Sequence, residues 1–147
     1  MPVEVKERDS NYKKIVENLK RLNKKSVKAG VFSDAGKEDN GTPIVDVAIY
    51  NEYGTRFIPS RPFVRIATEK NKKMWLDGAE QVVDNVIDGQ KANFSNLGKQ
   101  MVENIREVIG DKGLLVPNAP STIRRKGHDL PLIETGKLKK SIRFEVG

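Results

Sequence analysis

The chain has 147 residues, the size of one domain, and its 37% hydrophobic and 32% charged composition implies a thin core and a large solvated or partner-facing surface. It has no cysteine and a single histidine, which excludes disulfide staples, thiolate metal sites, a cysteine nucleophile and any two-histidine metal site. The net charge of +7 is unevenly spread: residues 1–28 hold nine Lys/Arg against four Asp/Glu, residues 29–111 ten against thirteen, and residues 112–147 eight against three. Basic ends therefore flank a mildly acidic middle. No signal-peptide core and no run of about 18 apolar residues occurs, so the expectation is a soluble protein made in the cytoplasm, with no membrane partner.

Ser10 is expected to cap a helix running to about Lys24, with Tyr12, Ile15, Leu19 and Leu22 on one face and Lys13, Lys14, Lys20 and Arg21 on the other. Ser26 to Phe32 alternates apolar and polar residues as a half-buried strand does. The stretch from Ser33 to Gly41, SDAGKEDNG, has no apolar anchor and reads as an exposed, mobile loop. Its Asp34, Glu38 and Asp39 lack the spacing of a calcium loop. Thr42-Pro43 then predicts a cap followed by proline at the first helical position. Ile44, Val47, Ala48 and Asn51 share one face of that helix, and Gly54 stops it.

The connector RFIPSRPF is stiffened by Pro59 and Pro62. From Pro62 the pattern Phe63, Ile66, Ala67, Trp75, Ala79, Val82, Val83 and Val86 predicts the longest helix, ending at Gly89, with Asn71 or Gly78 as kink positions. A further helix is expected over Ala92 to Ile109, ending at Gly110 and packed on the preceding one. Residues 110–136 are broken by prolines and glycines into an irregular segment. Within it Ser121 is expected to cap one turn through Arg125, with another helical piece over Glu134 to Lys140. Ser141 to Val146 alternates as a final strand, expected to pair with Val27 to Val31. The fold class is thus α+β in a single domain, 1–147: long helices packed on a small, mainly antiparallel sheet, with an irregular C-terminal segment ending in a strand.

No catalytic constellation stands out. His128 lies in a Gly-flanked, basic loop, where a solvated role is the simpler reading, and no phosphate-cradling loop or nucleophile-elbow motif occurs. Glu52, Asp77, Asp84 and Asp88 are the carboxylates available for acid-base or metal work, yet a solvated acidic face explains the last three. The expectation is a protein that is not an enzyme and needs no cofactor. The basic ends suit nonspecific contact with DNA phosphates, although no aromatic residues are interleaved with them for stacking on bases.

Two strings are more specific: Asn51-Glu52-Tyr53-Gly54-Thr55 followed by Ile58-Pro59-Ser60-Arg61-Pro62-Phe63, and Pro131-Leu132-Ile133-Glu134-Thr135-Gly136-Lys137-Leu138 followed by Ser141-Ile142. In order and spacing they resemble the tail-completion, or head-to-tail joining, proteins of long-tailed bacteriophages, and the stretch from Pro117 to Gly127 fits the same pattern. The resemblance spans about residues 42 to 147. It implies a virion protein of the neck, made in the host bacterial cytoplasm, that joins the tail to the head connector as a ring of copies. Its implied partners are copies of itself, connector or neck proteins, and tail terminator or tube proteins. The alternative is a basic, DNA-binding phage assembly factor. Physically, Gly54 and Gly136 suit sharp turns, Thr135 suits a helix cap, Arg61 suits a bridge to Glu52 or to a neighbouring copy, and Phe63 suits an anchor for the long helix. Whether these residues fix a turn within one chain or touch a neighbour is left open by the sequence.

Overall fold

The computed structural model describes residues 2–147, with side chains described from Ser10 onward. Six helices and two strands follow in the order α1 (Pro2–Leu22), β1 (Val27–Gly30), α2 (Ile44–Tyr53), α3 (Phe63–Ile87), α4 (Ser95–Val108), α5 (Pro120–Lys126), α6 (Lys137–Ser141) and β2 (Arg143–Val146). The two strands pair antiparallel, Val27 opposite Val146 and Gly30 opposite Arg143. This is the α+β arrangement expected, with the C-terminal strand closing on the strand near the N-terminus.

The core forms where α3, α4, α2 and α6 meet the sheet. Phe63, Ala67, Ile105, Val108, Leu138 and Ile142 are all buried there, and Ala29 and Phe144 of the sheet pack against them. Long α3 and α4 are neighbours in sequence and in space, as their apolar periodicity predicts. Trp75 on α3 donates its indole N–H to Asn104 Oδ1 on α4 at 2.8 Å, so the one buried amide of α4 is satisfied by the partner helix. Arg106 of α4 reaches the C-terminal end of α6, donating to the carbonyls of Lys139 at 3.2 Å and Ile142 at 3.0 Å. A cation there answers the open carbonyls of a helix end.

Several element ends differ from expectation for identifiable reasons. The first helix begins at Pro2, so Ser10 lies inside it and caps nothing; a proline in the first turn has no hydrogen bond to lose. Helix α2 begins at Ile44, one residue after Pro43, and no side chain caps it. The Thr42 N–H instead donates to Asn40 Oδ1 at 3.0 Å. Ser121 is likewise inside α5, whose first residue is Pro120. The last long helix, α4, begins at Ser95 rather than Ala92, and the turn before it is held by the Ser95 N–H donating to Asn93 Oδ1. Helix α3 runs unbroken through Asn71 and Gly78.

The 33–41 loop is tied to the C-terminal segment. Asp34 pairs with Arg143, Glu38 accepts from the Thr135 hydroxyl at 3.0 Å, and Asp39 pairs with Lys137. Arg143 also lies over the Phe32 ring, 4.3 Å from its centroid. The acidic residues of the loop therefore answer three separate groups about a hundred residues away in sequence, which local patterning cannot reveal.

Gly98 on α4 is the closest approach between helix and sheet. A Cβ at that position would lie 2.2 Å from Phe144 Cδ2 and 2.4 Å from Cγ, so the ring of Phe144 occupies the space a side chain would need. Helical propensity alone would make Gly98→Ala stabilising by about 1 kcal/mol. Overpacking against an aromatic ring opposes this by about 1–3 kcal/mol. We predict that Gly98→Ala lowers stability in urea unfolding, and that the same change becomes neutral or stabilising when Phe144→Leu has removed the ring. A Gly98→Ala chain as stable as the original would show that α4 and β2 do not meet at this point.

Candidate functional site

The short helix α2 and the long helix α3 are joined by a nine-residue connector, and nearly every residue of the first string has a task in that joint. Helix α3 has no acidic residue in its first turn and no cap from Pro62. Glu52, near the end of α2, supplies both from outside. Its Oε2 accepts from the Val64 N–H at 2.9 Å and its Oε1 from the Arg65 N–H at 3.1 Å, so a carboxylate sits on two open amides of the α3 N-terminus. Arg65 Nε adds a contact to Oε1 at 3.2 Å, and its Nη2 donates to the Glu52 carbonyl at 2.6 Å. Glu52 is buried, with a relative exposure of 8%, and its charge is compensated by the helix dipole and the guanidinium.

The backbone between them is equally constrained. Asn51 donates its side-chain amide to the Val47 carbonyl at 2.8 Å, and the Asn51 carbonyl accepts from the Arg61 N–H at 2.6 Å. Gly54 has φ of 77°, and a Cβ there would stand 2.9 Å from the Ser60 backbone nitrogen, so only glycine lets the connector fold back this tightly. Thr55 Oγ1 accepts from the Ile58 N–H at 3.0 Å, and the Ser60 hydroxyl donates to the Glu52 carbonyl at 2.9 Å. Phe63, 1% exposed, anchors the start of α3 in the core, as expected.

Arg61 does not bridge Glu52. It is buried and points the other way, donating from Nε to the Val116 carbonyl at 2.7 Å and from Nη2 to the Pro117 carbonyl at 2.9 Å. Arg65 holds the position beside Glu52 that was expected of Arg61, because in the first turn of α3 it is already presented to the cap. The planar fork of Arg61 instead fixes the chain just before α5. Burial lowers the pKa of Arg61 from its ordinary value.

In the second string Leu132 adopts φ of 64°, a left-handed conformation that a leucine rarely takes. Its side chain packs against the core, and Leu138, at the start of α6, is buried in it. Ile133 lies over Gly110, where a Cβ would come within 2.7 Å of Ile133 Cδ1. Glu134 pairs with Arg125 of α5. Thr135 Oγ1 accepts from the Lys137 N–H at 3.3 Å, one residue ahead of the N-cap Gly136, whose φ of 79° makes the turn expected at the start of α6.

The two strings and the Pro117 to Lys126 stretch converge on one open groove of about 670 Å³. Asn51, Ile58, Pro59 and Arg61 form one wall, Asn118, Ala119, Thr122 and Lys126 another, and Leu132, Glu134, Thr135, Gly136 and Leu138 the third. Glu52, Pro62, Phe63 and Ile133 do not line it; they hold its walls from behind. Phe57, 87% exposed, stands at the rim of the groove, and Tyr53, 70% exposed, lies outside it with the Arg65 guanidinium 5.3 Å from the centre of its ring. Local patterning does not mark Arg65 or Asn118. Arg65 is found only through the cap it completes, and Asn118 only through the fold that buries it.

His128 accepts from the Leu130 N–H at 3.2 Å, and no carboxylate contacts it. Among the described residues no three His, Asp or Glu side chains come together in a way that would hold a metal ion, and no helix is long and apolar enough to cross a membrane. Comparison with family models, curated proteins and solved structures finds no match.

The cap generates a direct expectation. Glu52→Ala leaves two part-buried amides without their acceptor and removes the carboxylate partner of the half-exposed Arg65 guanidinium, and should cost on the order of 1–3 kcal/mol in chemical unfolding. Glu52→Gln keeps an acceptor oxygen without the charge and should cost about half as much. Equal stability of all three chains would mean that the carboxylate does not hold α3.

Proposed function

We propose that this chain is a structural protein of a tailed-bacteriophage virion, acting at the neck, where it joins the tail to the head connector as a ring of copies. It has no enzymatic role and requires no cofactor. The observation that supports this reading best is the convergence of the two strings and the Pro117 to Lys126 stretch on a single groove. Segments separated by about seventy residues, and singled out together by their likeness to neck proteins, form one surface. A surface built from the turns around Gly54 and Gly136, with exposed Tyr53 and Phe57 beside it, has the aromatic anchors and backed-up pocket of a protein interface.

The thin core fits the same reading, because a ring subunit buries surface against two neighbours. Connector and tail proteins would meet the remaining faces. The second reading, a DNA-binding assembly factor, is favoured by exposed Lys14, Lys20, Arg21, Lys24 and Lys25 along α1 and its end.

Particles assembled without this protein should consist of filled heads and separate tails that fail to join, seen by electron microscopy. Complete, infectious particles lacking it would refute the neck assignment. Binding to duplex DNA of any sequence that falls steeply between 50 and 200 mM salt, on the order of a thousandfold, would favour the DNA-binding reading instead.

A further inference from the structure

The groove has an unanswered need for acceptors. Its own acids are engaged: Glu38 with Thr135, Asp39 with Lys137, Glu134 with Arg125. Two of its donors are not. Asn118 is nine-tenths buried and its Nδ2 has no hydrogen-bond partner. Lys126, half-buried at the end of α5, makes no hydrogen bond or ion pair among the described residues. Burial holds the pKa of Lys126 below its ordinary value, opposed first by the nearby charge of Glu134. A buried amide donor and a partly desolvated ammonium, in a groove of mixed polar and apolar lining whose own acids are already paired, fit a carboxylate carried beside apolar side chains.

The same chain displays such a surface elsewhere. Residues 74–90 contain Asp77, Glu80, Asp84 and Asp88 and no Lys or Arg. All four carboxylates are exposed and have no ion-pair partner among the described residues. Leu76, Val83 and Ile87 are exposed between them, at spacings of seven and four that put them on one side of α3. Asp84 and Asp88 also stand at the C-terminal end of α3, whose last turn carries no basic residue. Carboxylates there oppose the helix dipole, so the helix itself gains nothing from them.

We propose that the groove of one copy receives the acidic, apolar-striped C-terminal half of α3 from a second copy, with Lys126 and Asn118 as the donors. The proposal rests on the ring assembly above and names its contact. The groove lies beside the start of α3, while the acidic stripe begins about 20 Å further along it, at 1.5 Å per residue. Two different, complementary surfaces make a head-to-tail contact, the kind that closes into a ring.

The test is the mass of the purified full-length chain by sedimentation velocity, for the original chain, Lys126→Glu, Glu80→Lys/Asp84→Lys, and all three changes combined. The original chain should self-associate. Each charge reversal should weaken association by about thirtyfold or more, and the combination should recover much of it. Glu80 and Asp84 are exposed, so that variant keeps its fold even where Lys126→Glu does not, and unchanged melting curves check both. Association equal to the original in either folded variant overturns the contact, as does a combination no better than its parents. An original chain that stays monomeric up to millimolar concentration also overturns it. The neck assignment is judged separately, by particle morphology.

Discussion

The buried carboxylate of Glu52 is the constraint on which the functional part of this molecule depends. It belongs to α2 but caps α3, so the relative placement of two helices is set by hydrogen bonds from Val64 and Arg65 to one side chain. Such a cap leaves the connector between them no freedom: its nine residues must turn back within the distance the cap allows. The left-handed Gly54 and the Thr55 and Ser60 hydroxyls complete that turn. Arg61 then emerges on the opposite side with a fixed direction and grips the chain ahead of α5. The groove exists because these two polar groups, Glu52 and Arg61, face away from each other across one tight joint.

This division explains why the strings look as they do. Residues such as Asn51, Glu52, Gly54, Arg61 and Phe63 hold the fold of one chain, and Tyr53, Phe57 and Pro59 are left exposed. The second string divides the same way: Leu138 and Ile133 hold the core, while Glu134 and Thr135 stand on the groove wall. On the reading proposed above, turn-fixing and interface roles would be divided residue by residue. A neck subunit, as proposed, needs both within a few residues, because a joint that carries load must present its contacts from a stiff frame.

The fold was legible wherever local pattern decides it. The 3.6-residue period of α3 and α4, the alternation of the two strands and the glycine stops at Gly54 and Gly110 all follow from short-range stereochemistry. What the sequence could not disclose were partners distant along the chain. The Trp75 to Asn104 bond, the salt links from the 33–41 loop to Lys137 and Arg143, and the destination of Arg61 each depend on the assembled fold. The misplaced caps at Ser10, Thr42 and Ser121 have one cause: a proline nearby supplied or displaced the helix start, and a capping residue type does not outrank that geometry. The groove itself was half legible, since its strings stood out while the Asn118 and Lys126 that define its unmet chemistry did not.

In the assembly proposed, this groove is a working contact surface. Amide hydrogen exchange compared between the free chain and the chain within virions tests it most directly. The segments 54–61, 116–126 and 132–138 should gain protection together on assembly. Exchange at these segments that is the same in both states, with protection appearing only elsewhere, would contradict it.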